Sequence, residues 1–167
     1  PPRSTLFPYT TLFRSTTVVF PMKIAIGSDH AGFLLKEHIK SVLGTEGYLF
    51  DDFGTDSEAS MDYPDSAHPV ARAVQKGNYP YGILLCGSGN GMAITANKYG
   101  GIRAALCWNE EITRLSRLHN DANILAIPAR YLSREEAVNF CRVFLETTFE
   151  GGRHIRRVEK ISNILFL

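Results

Sequence analysis

Gly82-Ile83-Leu84-Leu85-Cys86-Gly87-Ser88-Gly89-Asn90-Gly91-Met92 decides the fold. The apolar run Gly82 to Cys86 reads as a short strand buried on both faces, as parallel strands are. Met92 to Lys98 reads as the start of a helix. A glycine loop lies between them, with a thiol at the carboxyl end of the strand. Glycines at 87, 89 and 91 let the backbone come close to a ligand, and amide N–H groups at a helix start suit an anion. Cys86 stands beside that loop as a base or nucleophile. By itself such a turn often does no more than close a βα unit, so its neighbours must decide.

Working outward, β-branched runs alternate with amphipathic segments. Strands are expected at Lys23–Gly27, Tyr48–Asp51, Gly82–Cys86, Gly101–Leu106 and Asn123–Ile127. Helices are expected at Ala31–Leu43, Ser66–Lys76, Met92–Lys98, Asn109–His119, Ser133–Thr148 and Arg153–Leu165. Ser133 with Glu136 forms a capping box. Five strands alternating with helices predict an α/β fold: a three-layer αβα sandwich around a five-stranded parallel, Rossmann-like sheet. Ligands of such sheets bind beyond the carboxyl ends of the strands. That rule selects Ser28-Asp29-His30, Cys86 to Gly91 and Pro128-Ala129-Arg130.

The chain has 167 residues, enough for one domain. Residues 1–21 stand apart: they hold two arginines and no acidic residue. Ser4 to Ser15 looks like the in-frame translation of a sequencing adapter, so a non-native leader is expected before a domain over 22–167. Without it the chain carries 16 basic and 17 acidic residues, a net charge of −1 against +1 for the whole. Such a balance gives no general attraction to nucleic acid or an anionic membrane, and no apolar run reaches the length of a span. Cys86, Cys107 and Cys141 have neither paired nor zinc-like spacing and read as free thiols of a reducing compartment.

Several residues carry chemistry in this frame. Asp29 and His30 can bind hydroxyls or a phosphate, or exchange protons; the plainer alternative is that Asp29 caps the next helix. His119 continues the Ile112, Leu115 face of its helix, whose dipole favours an imidazolium at its end. It can equally be a structural histidine, with Asn120 and Asp121 forming a turn. Arg153 and Arg157, four apart, can close on one phosphate, unless they form a solvated face. Ile155, Val158 and Ile161 mark the packing side of that helix. Nucleotide fingerprints fail: Gly27 to Gly32 has Walker-like spacing, but Phe33-Leu34 stands where Lys-Ser/Thr is needed. No GxGxxG follows the first strand either, although Asp51 and Asp52 would suit a ribose-binding acid.

Together these pieces resemble the family of ribose-5-phosphate isomerase B and the galactose-6-phosphate isomerase subunits. The resemblance runs from Met22 to about Ile164. It rests on Lys23-Ile-Ala-Ile-Gly-Ser-Asp-His-Ala-Gly32, Asp62-Tyr-Pro64, Cys86-Gly-Ser-Gly-Asn-Gly91, Ala96-Asn-Lys98, Gly101-Ile-Arg-Ala104, Leu115-Ser-Arg-Leu-His-Asn-Asp121 and Glu150-Gly-Gly-Arg-His154. It implies an aldose–ketose isomerase of a phosphorylated sugar that needs no metal or cofactor. Moving a proton between C1 and C2 through a cis-enediolate needs one base and donors for the oxyanion, and Cys86 is placed as that base.

By resemblance the amides of Gly87, Ser88, Gly89, Asn90 and Gly91 hold the enediolate, and Ser88 orients the proton transfer. His119 protonates the ring oxygen while Asp29 assists at the anomeric hydroxyl. His30, Arg153 and Arg157 take the phosphate, and Asn120 and Arg130 make further substrate contacts. Some members carry a glutamate base just after the loop; here that place is Met92, which leaves the proton to Cys86. The resemblance further implies a cytoplasmic homodimer or dimer of dimers with sites at the interface. The leading substrate pair is ribose 5-phosphate and ribulose 5-phosphate, in the non-oxidative pentose phosphate pathway. A hexose 6-phosphate (allose or galactose) and a catalytically silent sugar-phosphate-binding module are the alternatives.

Overall fold

The structure is a computed structural model and describes residues 21–162. The expected leader, save Pro21, and the expected end of the last helix at Leu165 lie outside these residues. Five strands alternate with helices: β1 (Lys23–Ser28), α1 (Phe33–Thr45), β2 (Leu49–Asp52), α2 (Pro64–Gln75), β3 (Gly82–Cys86) and α3 (Asn90–Ala96). There follow β4 (Ala104–Leu106), α4 (Glu110–Asn120), β5 (Ile124–Pro128), α5 (Arg134–Glu146) and α6 (Arg153–Ile161). All pairings are parallel, in the order β2-β1-β3-β5-β4.

Strand alternation builds the two cores. Ile24, Ile26, Ile83, Leu85, Leu125 and Ile127 face one side and meet Leu35, Ile39 and Leu43 of α1 and Val138, Cys141 and Phe144 of α5. Ala25, Leu84, Cys86 and Ile124 face the other and meet Val70 and Val74 of α2 and Met92 and Ala96 of α3. This is the expected three-layer sandwich. α1 lies so close to the sheet that a methyl group on Gly32 would stand 2.8 Å from the Leu85 carbonyl oxygen. The capping box is present: Ser133 Oγ accepts from Glu136 N–H, and Glu136 accepts from Ser133 N–H at 2.8 Å.

Three expectations about elements need correction. The fourth strand starts at Ala104 and not Gly101, because Gly101 takes φ +77° and Ile102 turns into the core. The Asn97 and Asn123 side chains bond the backbone of Ala104, Arg103 and Gly101 instead. On α4 the buried residues are Thr113, Ser116 and Arg117, whereas Ile112 and Leu115 are only partly buried, Ile112 packing against the core. Arg117 turns inward because each of its nitrogens finds a partner: Nη1 reaches Asp121 and the Ala122 carbonyl, Nη2 reaches Tyr81 Oη, and Nε reaches the Thr147 carbonyl. Its guanidinium lies 4.7 Å from the Tyr81 ring centre. On α6 the expected packing side stays open: His154 is the buried residue there, whereas Ile155 and Ile161 are about half exposed.

Candidate active site

The strand order reverses direction between β1 and β3, the place where sheets of this kind bind ligands. The loops after β1, β3 and β5 meet there. Asp29 N–H donates to the Leu85 carbonyl at 3.1 Å, Ala129 N–H to the Cys86 carbonyl at 2.9 Å, and Arg130 N–H to the Gly87 carbonyl at 3.1 Å. The Asp29 carboxylate accepts from Gly32 N–H at 3.1 Å, which closes the turn before α1. That bond closes a turn and does not cap the helix, whose N-cap is Gly32 with no side-chain cap, so the capping alternative does not hold. His30 is half-buried, and its Nδ1 accepts from Met61 N–H at 3.3 Å.

Cys86 is buried, with its Sγ 3.1 Å from the N–H of Gly89. An amide donated to sulfur stabilises a thiolate. Gly89 alone fits its place: φ is +75°, and a methyl group there would stand 2.4 Å from the Leu106 side chain. Gly91 lies under the Tyr63 ring, which would be 2.7 Å from an added methyl group. Met92 is fully buried in the core beneath the loop. Ser88 and Asn90 are exposed and line an open cleft of about 380 Å³ with Leu106, Trp108, Pro128 and Tyr131. Reading the sequence missed Trp108 and Tyr131; no periodicity marks an exposed aromatic in a loop.

The remaining expected residues gather elsewhere. His119 and Asn120 end α4 and precede β5, so they lie at the amino end of the sheet. Cys86 pairs with Pro128, the last residue of β5, whereas β5 begins at Ile124. Four residues of strand, about 13 Å at roughly 3.3 Å each, therefore separate the two levels. The rings of His119 and His154 stack 4.3 Å apart at 6°. Both Nε2 atoms face Glu150 Oε2, at 3.6 and 3.7 Å. Arg153 and Arg157 are exposed on the same helix as His154, and Arg153 Nε lies 3.4 Å from His154 Nε2. A second cleft of about 380 Å³ opens beside Asn120, Arg103 and Ile161.

This second cluster suits an anion better than a cation. His119, Glu150 and His154 bring ligand atoms within 4.8 Å of one another, a donor set that zinc accepts. Yet Arg153 and Arg157 add their positive charge to the same cluster and oppose a metal ion. Burial, then the neighbouring His119 and Arg153, pushes the His154 imidazole below its ordinary range. Asp51 and Asp52 are not free for a ribose: Asp51 is bonded to Lys23 and Tyr79, and Asp52 to Lys36 and Lys40.

The chain matches the ribose/galactose isomerase family over residues 24–161. It is 46% identical over 142 residues to ribose-5-phosphate isomerase B of Escherichia coli, covering 85% of this chain and 95% of that one. A crystal structure of ribose 5-phosphate isomerase from Thermotoga maritima superposes with a TM-score of 0.84 at 50% identity, covering 86% and 99% of the two chains. Ribose-5-phosphate isomerase B from Mycoplasma genitalium, solved with bound ribulose-5-phosphate, superposes at 0.81 with 40% identity, covering 85% and 95%. With its fold, its glycine loop and this match along the whole domain, the chain belongs to the ribose/galactose isomerase family.

Proposed function

We propose that the protein interconverts ribose 5-phosphate and ribulose 5-phosphate, with Cys86 as the base. The observation that carries this is the Gly89 N–H on Cys86 Sγ, which fixes the sulfur beside a loop of amides. The thiolate takes the proton from C2 of the open aldose, and the loop amides hold the resulting enediolate. The same proton then returns to C1, while Ser88 orients the exchange between the two oxygens. Removing one such oxyanion donor typically costs about 3 kcal/mol of barrier. Met92, buried and without a proton site, offers no competing base.

His119, Asn120, Arg153 and Arg157 serve ring opening and phosphate binding from a second copy of the chain. One sheet cannot bring its two ends together, so the amino-end cluster of one copy faces the carboxyl-end loops of another. Half-exposed Ile155 and Ile161 on α6 support such an interface, since a helix with one buried residue needs a further partner. Three buried free thiols support a reducing, cytoplasmic setting, and no helix among the described residues is long and apolar enough to cross a membrane.

A coupled assay on ribose 5-phosphate, allose 6-phosphate and galactose 6-phosphate, side by side, tests the reading. The highest kcat/KM is expected for ribose 5-phosphate. A higher value for a hexose phosphate would reassign the substrate, and binding of all three without turnover would leave a silent binding module.

A further inference from the structure

Lys36 is the one charged side chain with no exposed surface among the described residues. Its Nζ lies 2.7 Å from both carboxylate oxygens of Asp52, contacts the Thr55 carbonyl, and has Glu37 at 3.6 Å. A buried ion pair of this sort contributes little net stability, because desolvation offsets the Coulombic gain. It does fix geometry. Asp52 ends β2, and the chain then runs through residues 53–61. The root of that loop is laced to the end of β1: Ser28 N–H donates to the Gly54 carbonyl, and Thr55 N–H to the Ser28 carbonyl at 2.8 Å. Its far end brings Met61 N–H to Nδ1 of His30. An amide N–H can only donate, so Nδ1 accepts and the proton of the neutral ring sits on Nε2.

We propose that Lys36 is a positioning residue for His30: by fastening the root of loop 53–61 it holds Met61 against Nδ1, leaving Nε2–H as the donor offered to the substrate. The part concerning substrate rests on the proposed isomerase reading; the tautomer does not. The test is a long-range 1H–15N correlation spectrum of the labelled full chain, at a pH where imidazoles are neutral, with His30 assigned by loss of its signals in His30→Asn. The wild type is expected to show His30 as the single Nε2–H tautomer. Lys36→Met should show a mixture of both tautomers, with KM for ribose 5-phosphate raised about tenfold and kcat changed less than about threefold. Lys36→Met/Asp52→Leu removes both charges, leaves no buried carboxylate unpaired, and should give the same mixture if the single variant does not fold. Met61→Pro deletes the amide donor while leaving Lys36 and Asp52 in place, and should reproduce the mixture. A single Nε2–H tautomer in the double variant, or an Nδ1–H tautomer in the wild type, overturns the proposal. Those spectra decide it even if ribose 5-phosphate is not turned over, so its failure and that of the isomerase reading are told apart.

Discussion

The Gly89 N–H reaches Cys86 Sγ at 3.1 Å, whereas burial pushes the Cys107 and Cys141 thiols upward, away from the reactive form. Cys86→Ala should therefore abolish isomerisation while sugar-phosphate affinity changes by less than about twofold. Cys107→Ala and Cys141→Ala should turn over like the parent; wild-type turnover in Cys86→Ala would remove the base from the scheme. Gly89→Ala combines a strained positive φ with contact against Leu106 and the Ile127 backbone. Its loop should shift, lowering kcat by about a hundredfold or more, as loss of an oxyanion donor does. Arg153→Ala and Arg157→Ala should each weaken substrate and inorganic phosphate by about 1.5–3 kcal/mol, the worth of a charge-assisted contact. Unchanged KM in both would return the pair to a solvated helix face.

At the scale of elements, Asp52 holds β2, α1 and the loop after β2 together. Burial would push its carboxyl up, but the Lys36 and Lys40 ammonium groups and the Gly54 N–H outweigh that and hold it below its ordinary range. A group depressed on folding adds stability above its unfolded pKa, about 3.9 for Asp, and that stability is lost as pH falls through the folded value. Thermal melts between pH 2 and 7 should thus show a steep acid loss that is shallower in Asp52→Asn, which should also melt lower at pH 7. Identical acid slopes would mean that the carboxylate gains nothing on folding. The elements themselves were legible because β-branched runs and capping signals repeat along the chain, and Ser133 with Glu136 marked a helix start directly. What misled was α4, where Ile112 and Leu115 marked the side expected to be buried. Arg117 displaced it, since a guanidinium with carbonyl, carboxylate and phenol partners can be buried where a sequence pattern expects leucine.

For the whole molecule, the motifs pointed to one site and the fold separates them into two half-sites. Cys86 ends β3 and His30 follows β1, so both lie at the carboxyl end, whereas His119 and Asn120 precede β5 and lie at the amino end. The clue was in the element order, because in a parallel sheet residues before and after a strand must lie at opposite ends. Glu150 was visible only within a motif, and its role beside both histidines depends on the return of α6 to α4. In the proposed reading, two copies, each giving one end, make a complete site. Mixing tests this most directly: Cys86→Ala and His119→Asn chains, each inactive alone, are unfolded, combined in equal amounts and refolded. Hybrid dimers then hold one intact site and one doubly altered site, so about a quarter of wild-type activity should return on random pairing. If Cys86 and His119 act within a single chain, the mixture stays as inactive as its parents.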